Sequence, residues 1–256
     1  MEYTKPALPD EIFAHEDVDT LPAPVARYLR AAISPRTPLV PTARLSMRGA
    51  IKLGTRWLPF RARQVLAPHG DSVWSARVAG VVSGADQYAD GRGSLRWKLF
   101  GMIPIVRAEG PDVSRSAAGR FGAEAMWVPT SLLPRFGVTW TADDETSITA
   151  SFRKDDVDIA LHIALEPNGQ VRSMHLDRWG DANNSGTFGL APFGVDVTGY
   201  GTFDGLTIPR AGRGGWFHGT DRWADGEFFR YEITALELVG SQLASARRRP
   251  GSQGFL

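Results

Sequence analysis

His162 and His175 stand on either side of an Asn168-Gly169 turn signal. A two-residue turn sets Pro167 opposite Gln170, and counting outward sets the two imidazoles opposite one another. That face of the hairpin also carries Asp158, Asp177 and Trp179; the other carries Ile159, Leu161, Ile163, Leu165, Met174 and Leu176. Paired imidazoles beside carboxylates suit a metal ion or a base oriented by an acid, and they equally suit the wet side of an amphipathic hairpin. Zinc ligands must converge at about 2.0–2.2 Å from one point, which two flat neighbouring strands do not ensure, so the expectation is no bound metal.

A second constellation lies in the run Ser114 to Trp127, where Arg120, Glu124 and Trp127 recur at helical spacing and stack a guanidinium, a carboxylate and an indole on one stripe. Such a stripe lines a ligand cavity or forms a structural ion pair capped by an aromatic, and the spacing leaves both readings open. Glu124 and Arg120 are the candidates for acid, base or charge stabilisation. Trp127 joins Tyr88, Trp97 and Arg92 as candidates for ligand contact. The aromatics could wall an apolar cavity with few polar anchors. Arg92, in Asp90-Gly91-Arg92-Gly93, could anchor an anion or simply follow a hairpin turn.

Other chemistries are excluded by what the chain lacks. It has 256 residues and no Cys, which removes thiol nucleophiles, thiolate metal sites and redox dithiols. There is no His-Glu-x-x-His, no Walker loop and no Gly-x-Ser-x-Gly, and no cofactor is expected. Gly199-Tyr200-Gly201 and Gly212-Arg213-Gly214-Gly215 precede no helix that could hold a pyrophosphate, and read as bends or bulges in strands. A net charge of +1, with 29 basic residues spread along the chain, offers no field for nucleic acid. No window approaches the ~20 apolar residues of a membrane span, and the first residues do not read as an export signal. The expected location is therefore the cytoplasm.

The elements that must position these residues are mostly strands. From Ala43 the period is two, with Leu45, Met47, Gly49, Ile51 and Leu53 alternating with polar or small neighbours. Weaker alternation marks Phe60 to Leu66, Val73 to Val78, Leu95 to Phe100, Ile148 to Phe152 and the chain after Asp196. Turn signals fall between them at Pro68 to Asp71, Asp90-Gly91, Asn168-Gly169 and Asp204-Gly205. Helical spacing is confined to Leu21 to Ile33 and to Ser114 to Trp127, which Pro129 stops. The fold class is α+β, mostly β: a strongly curved antiparallel sheet, or half-barrel, packed with two or more helices. The expected layout is an N-terminal arm over 1–20, one curved-sheet domain over 21–246 and a flexible tail over 247–256.

Five segments, LPAPVARYLR (Leu21 to Arg30), WLPFRARQ (Trp57 to Gln64), DQYADGRGSLRWKLFG (Asp86 to Gly101), GRFGAEAMWVPTSLLP (Gly119 to Pro134) and FDGLTIP (Phe203 to Pro209), give the chain a family likeness over nearly its whole length. It resembles a bacterial family catalogued as a domain of unknown function, most specifically through Arg120, Glu124, Trp127 and Pro129 with Ser131 to Pro134. That family looks like the half-barrel lipoprotein-carrier folds, which implies a curved sheet wrapped around helices and an apolar cavity. Fold does not fix function. The expected partner is a hydrophobic small molecule held in that cavity, and the alternative is a cofactor-independent cyclase, isomerase or hydrolase acting on a hydrophobic metabolite.

Overall fold

Among the described residues, the alternation that begins at Ala43 is the middle of a single sheet of thirteen antiparallel strands. In a computed structural model that describes residues 11–240, the first six strands form a meander: β1 (Ala43–Leu53), β2 (Arg56–Leu66), β3 (Ser72–Val78), β4 (Val82–Ala89), β5 (Arg92–Leu99) and β6 (Ile103–Glu109). The chain then crosses in α2 (Pro111–Ala123) and returns through β7 (Thr139–Ala142), β8 (Ser147–Lys154), β9 (Val157–Leu165), β10 (Val171–Gly180), β11 (Gly189–Phe203), β12 (Leu206–Trp216) and β13 (Glu227–Leu238). Because β13 pairs with β1, the spatial order is β6-β5-β4-β3-β2-β1-β13-β12-β11-β10-β9-β8-β7. The half-barrel expected from the sequence is thus present. The tail expected over 247–256 lies outside the described residues, and within 1–20 the described part is packed down, with Phe13 and Val18 buried in the core.

Local chemistry places the turns. Asp90-Gly91 and Asp204-Gly205 each have positive φ at both residues, the backbone of a two-residue hairpin turn whose twist matches its strands. Helix α1 (Ala23–Ala32) carries its prolines in the first turn, where no donor is lost, and buries Val25, Tyr28 and Leu29. The second predicted helix is shorter than the spacing implied. It ends at Ala123 and continues as 3-10 turns over Glu124–Trp127 and Pro129–Leu132, since Pro129 cannot donate into a longer helix.

Twist accumulates at about 20–25° per strand, so seven steps from β2 to β8 turn the sheet by roughly 150°. The β8–β9 turn thereby meets the β2–β3 turn. Lys154, 1% exposed, makes the junction: its Nζ donates to the carbonyl oxygens of Ala67, Pro68 and Gly70 at 3.3, 3.0 and 2.5 Å, and lies 4.7 Å from the centre of the Tyr88 ring. Tyr88 in turn donates to Asp155 at 2.5 Å.

Helix α2 fills the open side between the two wings. Strands β9 and β10 pair only from Leu165 and Val171 to His162 and His175; beyond that they part, and α2 packs across the gap. Gly122 faces Ile159 of β9 and Gly119 faces Arg178 of β10, where a Cβ would stand 3.0 and 3.2 Å from those side chains. Two glycines cost helix propensity, about 1 kcal/mol each, and permit this close approach.

Burial pushes the Lys154 ammonium down to about 8 from 10.5, against the partial support of Asp155 and Asp71. Between those pH values the unfolded chain holds a proton that the folded chain has released, so the stability owed to Lys154 rises with pH. Denaturation of wild type and Lys154→Met at intervals from about pH 7 to 10.5 is expected to show wild type gaining on the order of 2–3 kcal/mol relative to the variant. A constant difference would mean that Lys154 does not titrate in this window.

Candidate functional site

Between the wings and beneath the end of α2 lies a cavity of about 390 Å³, within the usual size range of small-molecule sites. One wall is formed by Ile51, Trp74, Val78, Val82 and Trp97; the facing wall by Met174, Phe193, Val195 and Trp216; Met126 and Trp127 close the top. Small residues make room for the large ones: the Trp97 indole lies on Gly84, where a Cβ would come within 2.5 Å of the ring. Leu53, Ile105 and Val106 also line the cavity and are about half exposed, which places its mouth at the β1–β2 turn and strand β6.

The predicted stripe sits in this wall. Arg120 Nε donates to Glu124 Oε1 at 3.0 Å and Nη1 to Asp86 Oδ2, so one guanidinium is clamped by two carboxylates. Burial alone would depress the Arg120 pKa; Glu124 and Asp86 outweigh it, and the pKa stands above its ordinary value. Gln64 donates to Glu124 Oε2, and Trp97 Nε1 donates to Asp86 at 2.9 Å. Both oxygens of Glu124 are therefore engaged, and in this arrangement it acts as a counter-ion. The Arg120 guanidinium carbon also lies 4.8 Å from the centre of the Trp74 ring. Trp127 packs edge-on against Tyr231, and the buried Trp127 Nε1 and Tyr231 Oη, which lie near one another, have no further hydrogen-bond partner among the described residues.

Of the predicted contact residues, the structure brings Trp127 and Trp97 to the cavity with Arg120 and Glu124. Tyr88 and Arg92 are elsewhere: Tyr88 is buried at the Lys154 junction, and Arg92 is exposed just after the β4–β5 turn, where both border a polar outer groove. Arg178 was not singled out by the sequence reading, although alternation from Met174 and Leu176 already points it inward. It lines the cavity and the outer groove, and no other described residue lines both. Its guanidinium carbon lies 4.7 and 4.9 Å from the ring centres of Phe193 and Trp216. Burial, and then the like charge of Arg120, push its pKa down to about 9.

The histidines lie on the opposite, outer face. His162 and His175 are cross-strand partners as expected, but by another route: the turn has three residues, with Glu166 N–H bonded to Gln170, and a bulge between Val171 and Ser173 restores the register. Their rings stack at 4.9 Å, and His218 continues the stack over Gly194 at 6.0 Å from His175. Stacked rings do not aim their nitrogens at one point; His162 meets Thr149 and His218 meets Asp196. Among the described residues no group of three or more His, Asp or Glu is arranged to hold a metal ion.

Replacing Arg120 by Met leaves Asp86 and Glu124 in the wall without their counter-charge. The expected loss is about 3–5 kcal/mol in urea denaturation, largely recovered when Asp86→Asn and Glu124→Gln are added. A fully stable single variant would show that the carboxylates do not need the guanidinium.

Several solved structures share the general architecture. A LolA superfamily protein from Nitrosomonas europaea aligns with a TM-score of 0.45 and 8% identity over 85% of this chain and 93% of its own. A Vibrio parahaemolyticus domain described as an outer membrane lipoprotein-sorting protein gives 0.45 and 7% over 79% and 88%, and a DUF1329 family protein from Desulfovibrio piger 0.43 and 9% over 78% and 86%. No curated protein matches the chain in sequence. The cytoplasmic location expected from the sequence is not upheld: one of these neighbours is described as an outer membrane lipoprotein-sorting protein. The segments that suggested a domain of unknown function do belong to one: with residues 11–228 matched, the chain is a member of the family of unknown function DUF6544.

Proposed function

We propose that this protein binds a hydrophobic small molecule in the cavity between its wings. The observation that carries the reading is the composition of that wall: aromatic and aliphatic side chains from both halves of the sheet surround a space open at one rim, with few polar groups among them. Arg120, Glu124, Trp97 and Trp127 are the residues of the predicted set that face it. The paired Arg120 supports the wall, and Tyr231 Oη, whose one neighbouring polar group is Trp127 Nε1, keeps capacity for a polar group of the ligand.

Gly214 allows a direct test, because a Cβ there would meet Val195 at 3.4 Å and Phe229 at 3.9 Å, ordinary contacts with two cavity-lining residues. Gly214→Leu should fill the cavity without displacing backbone. Titration with Nile red is expected to show saturable binding to wild type and at least about tenfold weaker binding to the variant, while its thermal midpoint stays within a few degrees. Equal uptake by both proteins, or none by wild type, would sink the reading.

A further inference from the structure

We propose that the ligand is an anionic amphiphile, its chain in the apolar cavity and its carboxylate or phosphate on the guanidinium of Arg178. The proposal rests on the reading of the cavity as a hydrophobic-ligand site and adds the chemistry of the head group. Four observations carry it. Arg120 and Arg178 are the two cations of the wall; Arg120 is held by two carboxylates, whereas Arg178 forms no ion pair with any described residue. Among the described residues its hydrogen bonds go to Ser116 alone, from Nε to the backbone carbonyl and from Nη2 to Oγ, both at 3.2 Å, and none is made by Nη1. It lines both the apolar cavity and the polar groove, the place where an amphiphile passes from chain to head.

The fourth observation is that the seat is built. Gly119 leaves the space that the stem of Arg178 occupies, and Gly180 leaves the space for the Trp216 ring over which the guanidinium lies, a Cβ there falling 2.4 Å from that ring. Asp158 and Asp177 border the groove on the outer face, but neither reaches ion-pair distance of Arg178. Glu124 and Asp86 act on it only from beyond ion-pair distance and are already bonded to Arg120. An arginine held against two aromatic rings with no ion-pair partner of its own among the described residues is costly to keep, and it offers a fork suited to a planar or tetrahedral oxyanion.

Three ligands of one chain length separate the possibilities: dodecanoate, dodecyl phosphate and dodecanol, titrated calorimetrically below their aggregation concentrations. Wild type is expected to bind both anions at least about tenfold more tightly than the alcohol, a difference that salt weakens. Arg178→Gln should abolish the preference for the anions over the alcohol. Equal affinity of wild type for all three would overturn the head-group assignment and leave the cavity reading intact. Binding of none of them would overturn both. The wild-type comparison needs no variant to fold.

A different observation carries a second inference: we infer that the β1–β2, β3–β4 and β5–β6 turns together form a docking surface for an anionic lipid bilayer. Successive hairpins of the meander put these three turns at one end of the wing. They expose Leu53, Val81, Phe100, Met102 and Ile103, with Phe100 at 62% and Met102 at 75%. Lys52, Arg56, Arg77 and Lys98 flank them, none in an ion pair with a described residue, and stretches 50–59, 76–84 and 95–107 contain no Asp or Glu. In a chain of net charge +1 this segregation of cations around exposed apolar side chains matches the surface of an anionic membrane.

Sedimentation with phosphatidylglycerol vesicles is expected to bring the protein down at low salt, with several-fold less bound to phosphatidylcholine vesicles and less again for Phe100→Asn/Met102→Ser. Neither side chain lines the cavity, so Nile red binding should persist in the variant and report its fold. No binding to phosphatidylglycerol, equal binding to both lipids, or a dimer in solution that the double substitution dissolves would each overturn the assignment.

Discussion

Helix α2 has to reach both wings of a sheet that has coiled too far to be bridged by side chains alone, and two arginines make the connection. Arg120 leaves the helix and binds Asp86 on β4; Arg178 leaves β10 and binds Ser116 on the helix. The glycines at 119 and 122 bring the helix down onto β9 and β10, so the two guanidiniums arrive in the same wall. If α2 stood a methyl group farther away, neither contact would have its present length. The cavity follows from the same constraint, because one helix is narrower than the space between two wings, and what it leaves open is bounded by the large aromatics of β3, β5, β11 and β12.

Much of this was legible in the chain, for a reason that particular strands make plain. Strands β1 to β3 and β8 to β10 bury one face against a filled core and wet the other, so their side chains alternate and the period can be read. Strand β4 has no such pattern, because Gly84 and Asp86 are chosen by the Trp97 ring and the Arg120 guanidinium that lie over them. Strand β6 is an edge whose two faces are both exposed, and its apolar residues therefore carry no period. Register proved firmer than turn type: His162 and His175 face each other because Ile163, Leu165 and Met174 must stay buried, and a bulge absorbs the residue that the longer turn displaces.

The candidate site was legible in part. Arg120, Glu124 and Trp127 declare themselves by helical spacing, even though the helix gives way to a 3-10 turn at Glu124. Their partner Asp86 could not be found that way, since it comes from a strand distant in sequence. Tyr88 and Arg92 share their strand or turn with it but fall at the far end, where the wings meet at Lys154 instead of enclosing space. Arg178 carried a usable signal, a charged residue at an inward position between Leu176 and Gly180, which the neighbouring Asp177 and Trp179 obscured.

The contrast between the two arginines separates what the fold needs from what it tolerates. A buried guanidinium with two carboxylates recovers the cost of leaving water and fixes the distance between α2 and β4. One with a single serine recovers less, and aromatic faces at 4.7 and 4.9 Å replace only part of its lost hydration. Packing alone would be served as well by a long apolar side chain over the same rings, with no charge to desolvate and no like charge set near Arg120. Every other residue that breaks a local rule around the cavity, Gly84 beneath Trp97, Gly119 and Gly122 inside a helix, Gly180 beneath Trp216, is accounted for by the side chain that fills the space it leaves. Arg178 is the exception: its stem is accommodated by a glycine, and Ser116 and two aromatic faces engage part of its guanidinium, but no carboxylate among the described residues pairs with it. A charge whose lost hydration the fold restores only in part is what the proposed head-group site requires, and it falls at the residue shared by the apolar cavity and the polar groove.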